Sequence, residues 1–141
     1  MKEITAPGES VLLVSPHEED FLSLREILRN SATVLRLAHN LGEARQAIDA
    51  APPAAVIGDC HGWKDLLQLI QGMPSPPPLI VADRFANERL WGEVLNLGGY
   101  DLLTKPFARE EVLHVLELAC HRSQAIRQSG ERYLTATQTH P

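Results

Sequence analysis

Short apolar runs alternate with amphipathic stretches along most of the chain. The runs at residues 11–14, 54–58 and 79–81 are continuously nonpolar, as strands buried on both faces of a sheet are. Residues 32–38 and 100–104 are two further strand candidates. The pattern therefore predicts five strands, with room for a helix after each one.

The stretches between the runs have helical periodicity. Phe21, Leu24 and Leu28 lie three or four positions apart, and acidic residues occupy the first turn of this stretch, where they favour the helix dipole. Asn40 is a predicted N-cap because Glu43 follows it at the spacing of a capping box. Further helices are predicted over residues 41–51, 63–73 and 87–97 and from residue 109. Strands that alternate with helices predict a doubly wound, three-layer α/β sandwich, because parallel strands need right-handed crossover connections.

The composition fits a single globular domain. The chain has 141 residues, of which 44% are apolar and 22% charged, which is enough to bury a core. We expect an N-terminal extension at residues 1–8, a domain at 9–121, and a helical extension or linker at 122–141. The net charge of −5 argues against a nucleic-acid partner, because phosphate binding normally needs a basic face. Few cysteines, no signal-like start and no bilayer-length apolar run predict a cytoplasmic protein with no membrane partner.

The residues that end the apolar runs differ in charge. Asp59 ends the third run and Lys105 follows the fifth, whereas the first run ends at Ser15 and Pro16 without an acid. Because the carboxyl ends of parallel strands share one edge of a sheet, this carboxylate and this ammonium can meet at a single site. In the absence of phosphate, we expect an Asp59–Lys105 ion pair that holds the strand ends together.

Asp59, the triplet Lys105-Pro106-Phe107 and the order of the elements together resemble the CheY-like receiver domain of two-component response regulators. The resemblance covers roughly residues 9–121. It implies a flavodoxin-like fold with a five-stranded parallel sheet in the order 2-1-3-4-5 and helices on both faces. It also implies that the strand-three aspartate accepts a phosphoryl group from a histidine kinase. In that family an acidic pair after strand one holds Mg²⁺, a Ser or Thr after strand four closes on the phosphate, and the lysine pairs with it.

By this resemblance, Asp59 is the phosphoacceptor candidate, Lys105 the phosphate-pairing candidate and Pro106 a cis-proline candidate. The loop after Asp59 is shorter than the family pattern. The positions of the acidic pair and of the hydroxyl are degenerate and fall on Ser15, Pro16 and Ala82. A metal and a hydroxyl normally neutralise charge on the phosphoryl oxygens. Their loss predicts a domain without Mg²⁺ or another cofactor, and we assign no catalytic residue.

Other acids lie near the same edge and could substitute for the missing pair. Glu18, Glu19 and Asp20 lie just after the first strand, but their position at a helix start gives them a simpler role in favouring the helix dipole. Asp83 follows Ala82, and a solvated loop carboxylate is the simpler interpretation for it. We therefore expect none of these acids to hold a metal.

Three of the histidines fall on the same predicted edge. His17, His39 and His61 lie in loops or helix starts, with Cys60 beside the last of them, and transition metals bind such side chains. Their spacing matches no established metal motif, and exposed loop histidines are the alternative. We therefore predict no metal site.

An apolar stripe on the last helix continues at seven-residue intervals, through Val112, Leu116, Ala119, Ile126 and Tyr133. Core packing explains the stripe as far as about residue 120, and the resemblance adds pairing between copies through the fourth and fifth helices. We take Trp91, Val112 and Leu116 as interface candidates, with core packing as the alternative.

Three functions are open at this point. The preferred one is an atypical receiver domain in two-component signal transduction that binds a signalling protein, a histidine kinase or a second copy of itself without Mg²⁺-dependent phosphorylation. The alternative is a working phosphoacceptor that a histidine kinase phosphorylates on Asp59. The third is an unrelated flavodoxin-like domain that holds a nucleotide or a flavin, which the lack of a Gly-rich loop after the first strand disfavours.

Overall fold

The computed structural model of the protein describes the backbone of residues 9–139 and the side chains of residues 9–125. Five strands form one sheet, and they are β1 Ser10–Val14, β2 Val34–Ala38, β3 Ala55–Asp59, β4 Leu79–Asp83 and β5 Asp101–Thr104. Five helices alternate with them, and these are α1 Glu18–Leu28, α2 Leu41–Ala50, α3 Trp63–Gln71, α4 Glu88–Leu97 and α5 Arg109–Thr139. All strand pairs are parallel and the strand order is β2-β1-β3-β4-β5. The predicted doubly wound fold is confirmed.

The sheet separates two hydrophobic clusters because successive strand residues point to opposite faces. Leu13 and Ile57 pack with α1 and α5 on one face, whereas Leu12 and Val56 pack with α2, α3 and α4 on the other. Trp63 closes the second cluster beside the start of α3. The helices therefore cover both faces of the sheet and leave the carboxyl ends of its strands at one edge.

Two of the predicted interface residues lie in the core. Val112 has no exposed surface and Leu116 is 5% exposed, and both pack against the sheet in the cluster that contains α1 and α5. Their assignment to an interface is wrong, because the apolar stripe of α5 packs in the domain's own core as far as Cys120. The side chains of Ile126 and Tyr133 lie outside the described residues.

Local capping explains where the helices next to the site begin. Asn40 Oδ1 accepts a hydrogen bond from the backbone N–H of Glu43 at 2.9 Å, and Asn87 Oδ1 accepts one from Leu90 at 2.9 Å. These contacts fix the starts of α2 and α4.

Strand β2 begins later than the pattern indicated. The Ser31 hydroxyl donates to Leu28 O at 2.8 Å and accepts from Thr33 N at 3.3 Å, which holds residues 31–33 in a turn.

The described part of the chain contains no helix with the length and apolar character needed to cross a bilayer. The predicted extension at residues 1–8 lies outside the described residues, and α5 runs past residue 121.

Candidate functional site at the carboxyl edge of the sheet

A lysine lies between two carboxylates at the carboxyl edge of the sheet. Asp59 is the last residue of β3, and Lys105 directly follows β5. The Lys105 ammonium donates hydrogen bonds to Asp59 Oδ1 and to Asp20 Oδ2, the latter at 2.6 Å. The three side chains are only 11% (Lys105), 3% (Asp59) and 8% (Asp20) exposed. The structure thus brings together the predicted acid and cation and adds a second acid.

Asp20 is buried, although its position at the start of a helix predicts a solvent-exposed side chain. Glu18 and Glu19 are exposed at the start of α1, as expected, but Asp20 is buried. Its Oδ2 accepts a hydrogen bond from the Ser15 hydroxyl at 2.8 Å in addition to the one from Lys105. The signal was its spacing, because Asp20 precedes Leu24 by one helical turn and so lies on the buried face of α1.

The electrostatics of the cluster favour its charged form. Burial by itself raises the pKa of Asp59, but hydrogen bonds from Lys105 and His61 outweigh it, so this pKa lies below its usual value. Burial also lowers the pKa of Lys105, yet its hydrogen bonds to Asp20 and Asp59 raise the pKa above its usual value. Both members of the pair are therefore ionised at neutral pH.

The loop after Asp59 folds back onto the carboxylate. Asp59 Oδ2 accepts a hydrogen bond from the backbone N–H of His61 at 3.1 Å and lies 3.0 Å from its ring Nδ1. Gly62 then adopts a left-handed conformation with φ of 84°, which lets α3 begin at Trp63 after so short a loop. His17, on the loop after β1, places its Nε2 3.9 Å from Asp59 Oδ1.

Cys60 lies beside the site as a neutral thiol. Burial, a hydrogen bond to Asp83 and the nearby charge of Asp59 raise the pKa of the Cys60 thiol to about 11. Its sulfur lies 3.6 Å from His61 Nδ1.

The degenerate positions do not supply an Mg²⁺ site. Ser15 is buried, and its hydroxyl donates to Asp20 and accepts from the backbone N–H of His17 at 3.0 Å. Pro16 is exposed and offers no carboxylate. Asp20 does reach the site, but its Oδ2 is shared by Lys105 and Ser15. Because Mg²⁺ needs near-octahedral oxygen ligands, this set of residues does not fit the ion that the family resemblance implies.

The strand-four position also lacks the expected group. Ala82 is buried at the end of β4, and its carbonyl accepts a hydrogen bond from the backbone N–H of Cys60 at 3.0 Å. Its methyl side chain cannot donate to a phosphate. Pro106, in contrast, has the geometry that the resemblance implies, because the peptide bond between Lys105 and Pro106 is cis.

Two features of the surface complete the site. A cleft of about 110 Å³ opens beside Asp59, and its walls include His39, His61 and Asp65. On the α4 side, Trp91 is 47% exposed, and its Nε1 donates a hydrogen bond to Asp101 Oδ1 at 3.2 Å. Trp91 therefore lies at the surface rather than in the core.

The overall structure resembles solved receiver domains. The signal receiver domain of an HD domain-containing protein from Pseudomonas fluorescens Pf-5 superposes with a TM-score of 0.77 at 23% identity, over 90% of this chain and 97% of that one. A response regulator from Thermotoga maritima gives a TM-score of 0.71 at 20% identity, over 80% and 98% of the two chains.

A longer protein also contains the fold. NtrX from Brucella abortus in complex with ADP gives a TM-score of 0.74 at 24% identity, over 86% of this chain but only 28% of that one. No protein-family model and no curated protein matches the chain. The topology and these similarities show that the chain has the fold of response-regulator receiver domains.

Proposed function

We propose that this protein is an atypical receiver domain of two-component signal transduction that acts through protein–protein contacts and not through Mg²⁺-dependent phosphorylation of Asp59. The observation that carries the proposal is the arrangement of Asp20, Lys105 and Asp59, in which the lysine is held by two buried carboxylates. A cation that would stabilise a phosphoryl group is here neutralised by the protein itself.

The oxygens of Asp59 are also engaged. Oδ1 accepts from Lys105, and Oδ2 accepts from the backbone of His61. Attack of the Asp59 carboxylate on phosphorus would pass through a highly charged transition state. Enzymes usually stabilise such a state with a metal and with hydrogen-bond donors, each contributing several kcal/mol. Ser15 and Pro16 provide no carboxylate ligand for a metal, and Ala82 provides no hydroxyl at the end of β4.

The surface of α4 supports a role in binding. Trp91 and Leu95 are exposed on α4, and Phe85, on the loop before it, is 77% exposed. Exposed aromatic side chains of this kind often anchor interfaces. We place the contact with a second copy, a histidine kinase or another signalling protein of the cytoplasm on this surface, with α5 contributing its solvent-facing side.

The experiment measures self-association by sedimentation velocity, with and without a small phosphodonor and Mg²⁺. We expect wild-type protein to associate equally in both conditions and Trp91→Ala to associate more weakly. Asp59→Asn should behave like wild type. A phosphodonor effect that Asp59→Asn abolishes would instead establish the phosphoacceptor function, and a monomer in all conditions would contradict pairing between copies.

A further inference from the structure

We propose that His17, Asp59 and His61 form a binding site for a divalent transition-metal ion of the zinc type. All three residues lie at the carboxyl edge of the sheet, where Asp59 is the last residue of β3, His61 lies on the loop after it, and His17 lies on the loop after β1. One potential ligand atom from each lies within 4.8 Å of the other two. This inference goes beyond the proposed function, because it concerns a metal ion bound at the carboxyl edge of the sheet and not the protein partner that the domain contacts.

The distances are close to those of a metal site. His61 Nδ1 lies 3.0 Å from Asp59 Oδ2, and His17 Nε2 lies 3.9 Å from Asp59 Oδ1. Two ligands at ~2.0–2.1 Å from a tetrahedral zinc ion are about 3.4 Å apart. The two contacts to Asp59 lie on either side of this value, and the ligand atoms of all three residues lie within 4.8 Å of one another.

The type of ligand selects the metal. Two imidazole nitrogens and one carboxylate oxygen suit zinc, copper or nickel, whereas Mg²⁺ and Ca²⁺ prefer a shell made of oxygen atoms alone. The carboxyl edge of the sheet, which does not fit Mg²⁺, therefore offers a ligand set that prefers a transition-metal ion. Asp59 and His61 also line the cleft, through which water or a side chain of a partner can reach them.

The charge of the buried cluster favours a cation. Asp20 and Asp59 supply two carboxylates against the single ammonium of Lys105, so the formal charge of these three side chains is −1. Asp20 continues to neutralise Lys105 when Asp59 shares its charge with a metal. The second carboxylate thus makes the site compatible with an ion placed near an ammonium group.

Cys60 is not part of the proposed ligand set. The three ligand atoms that lie together come from His17, Asp59 and His61, and the Cys60 sulfur instead lies 3.6 Å from His61 Nδ1. His39 lies in the same cleft but pairs with Glu43, whose Oε1 is 2.9 Å from its Nδ1. The Cys60→Ser variant therefore serves as a test of the assignment.

The experiment titrates the untagged full chain with Zn²⁺ by isothermal calorimetry after treatment with a chelator. We expect one Zn²⁺ per chain, and at least tenfold weaker binding in His17→Ala and in His61→Ala. The matched control is His114→Ala on the exposed side of α5, which should bind as wild type does. Because the side chains replaced are exposed, circular dichroism should show that all variants fold.

The cobalt complex tests the ligands directly. We expect Co²⁺ to give visible absorption bands of a site with nitrogen and oxygen ligands, unchanged in Cys60→Ser and lost in the His17→Ala/His61→Ala double variant. The proposal is overturned if wild type binds no stoichiometric metal, if the double variant binds as tightly as wild type, or if a thiolate-to-cobalt band disappears in Cys60→Ser.

Discussion

Replacing Lys105 with methionine tests how the site is held together. The substitution keeps most of the aliphatic side chain and removes the ammonium that lies between Asp20 and Asp59. Two buried carboxylates then remain without a cation. Removing one partner of a buried ion pair typically costs about 3–5 kcal/mol, because the charge left behind stays desolvated. We expect Lys105→Met to lower the free energy of unfolding by this amount at neutral pH.

The matched control is Lys64→Met. Lys64 lies 2.9 Å from Glu93, but both side chains are about half exposed. Exposed pairs contribute well under about 1 kcal/mol because water and salt screen them. The difference between the two methionine variants therefore isolates the effect of burial from that of losing a lysine. Asp59→Asn should fall between them, since it leaves Lys105 paired with Asp20.

The pH dependence gives a second check on the same variant. The pKa of Asp59 is lowered by folding, so its contribution to stability is present above its unfolded pKa of about 3.9 and is lost as the pH falls through the folded value. In Lys105→Met this contribution is absent. The difference in stability from wild type should therefore shrink as the pH falls below about 3.9.

Urea unfolding followed by circular dichroism measures these differences. A stabilising role for the buried Lys105 ammonium is contradicted if Lys105→Met lowers the free energy of unfolding no more than Lys64→Met does, or if this loss stays constant as the pH falls.

Three further predictions follow from individual contacts. Ser15→Ala removes the hydrogen bond to Asp20 but leaves the one from Lys105, so urea unfolding should show a loss of about 1 kcal/mol, and no loss would contradict a role for the hydroxyl. In Cys120→Ser protein, iodoacetamide at about pH 8 should alkylate Cys60 far more slowly than a free thiol, because only ~0.1% of the Cys60 side chain is thiolate at that pH. Rapid alkylation, measured by mass spectrometry, would contradict the raised pKa of Cys60. Asn40→Ala and Asn87→Ala should each lower the free energy of unfolding by about 1 kcal/mol through loss of a helix cap, whereas Asn87→Asp should retain most of the stability.

The sequence predicted the structure correctly where the spacing of apolar residues determines the secondary structure and its buried face. Asp59 and Lys105 could be placed at one edge because parallel strands with helical crossovers bring their carboxyl ends together. The same periodicity located Asp20 on the buried face of α1, but its acidic neighbours favoured a surface role. Only the three-dimensional structure shows that the lysine, which is 85 residues away, reaches it.

Other features could not be predicted from periodicity. An apolar stripe on a helix can pack in the core or in an interface, and the sequence pattern is the same in both cases. The burial of Val112 and Leu116 and the exposure of Trp91 therefore became clear only from the packing of the helices. The approach of His17 and His61 depends on two loops and on the left-handed conformation of Gly62. Loop conformations of this kind leave no repeating pattern in the sequence.

The intact mass of the folded protein after incubation with a small phosphodonor and Mg²⁺, beside a phosphorylatable receiver domain as positive control, tests most directly whether Asp59 accepts a phosphoryl group. We expect wild type and Asp59→Asn both to keep their unmodified mass while the control is phosphorylated. Stoichiometric phosphorylation of wild type that is absent in Asp59→Asn would contradict it.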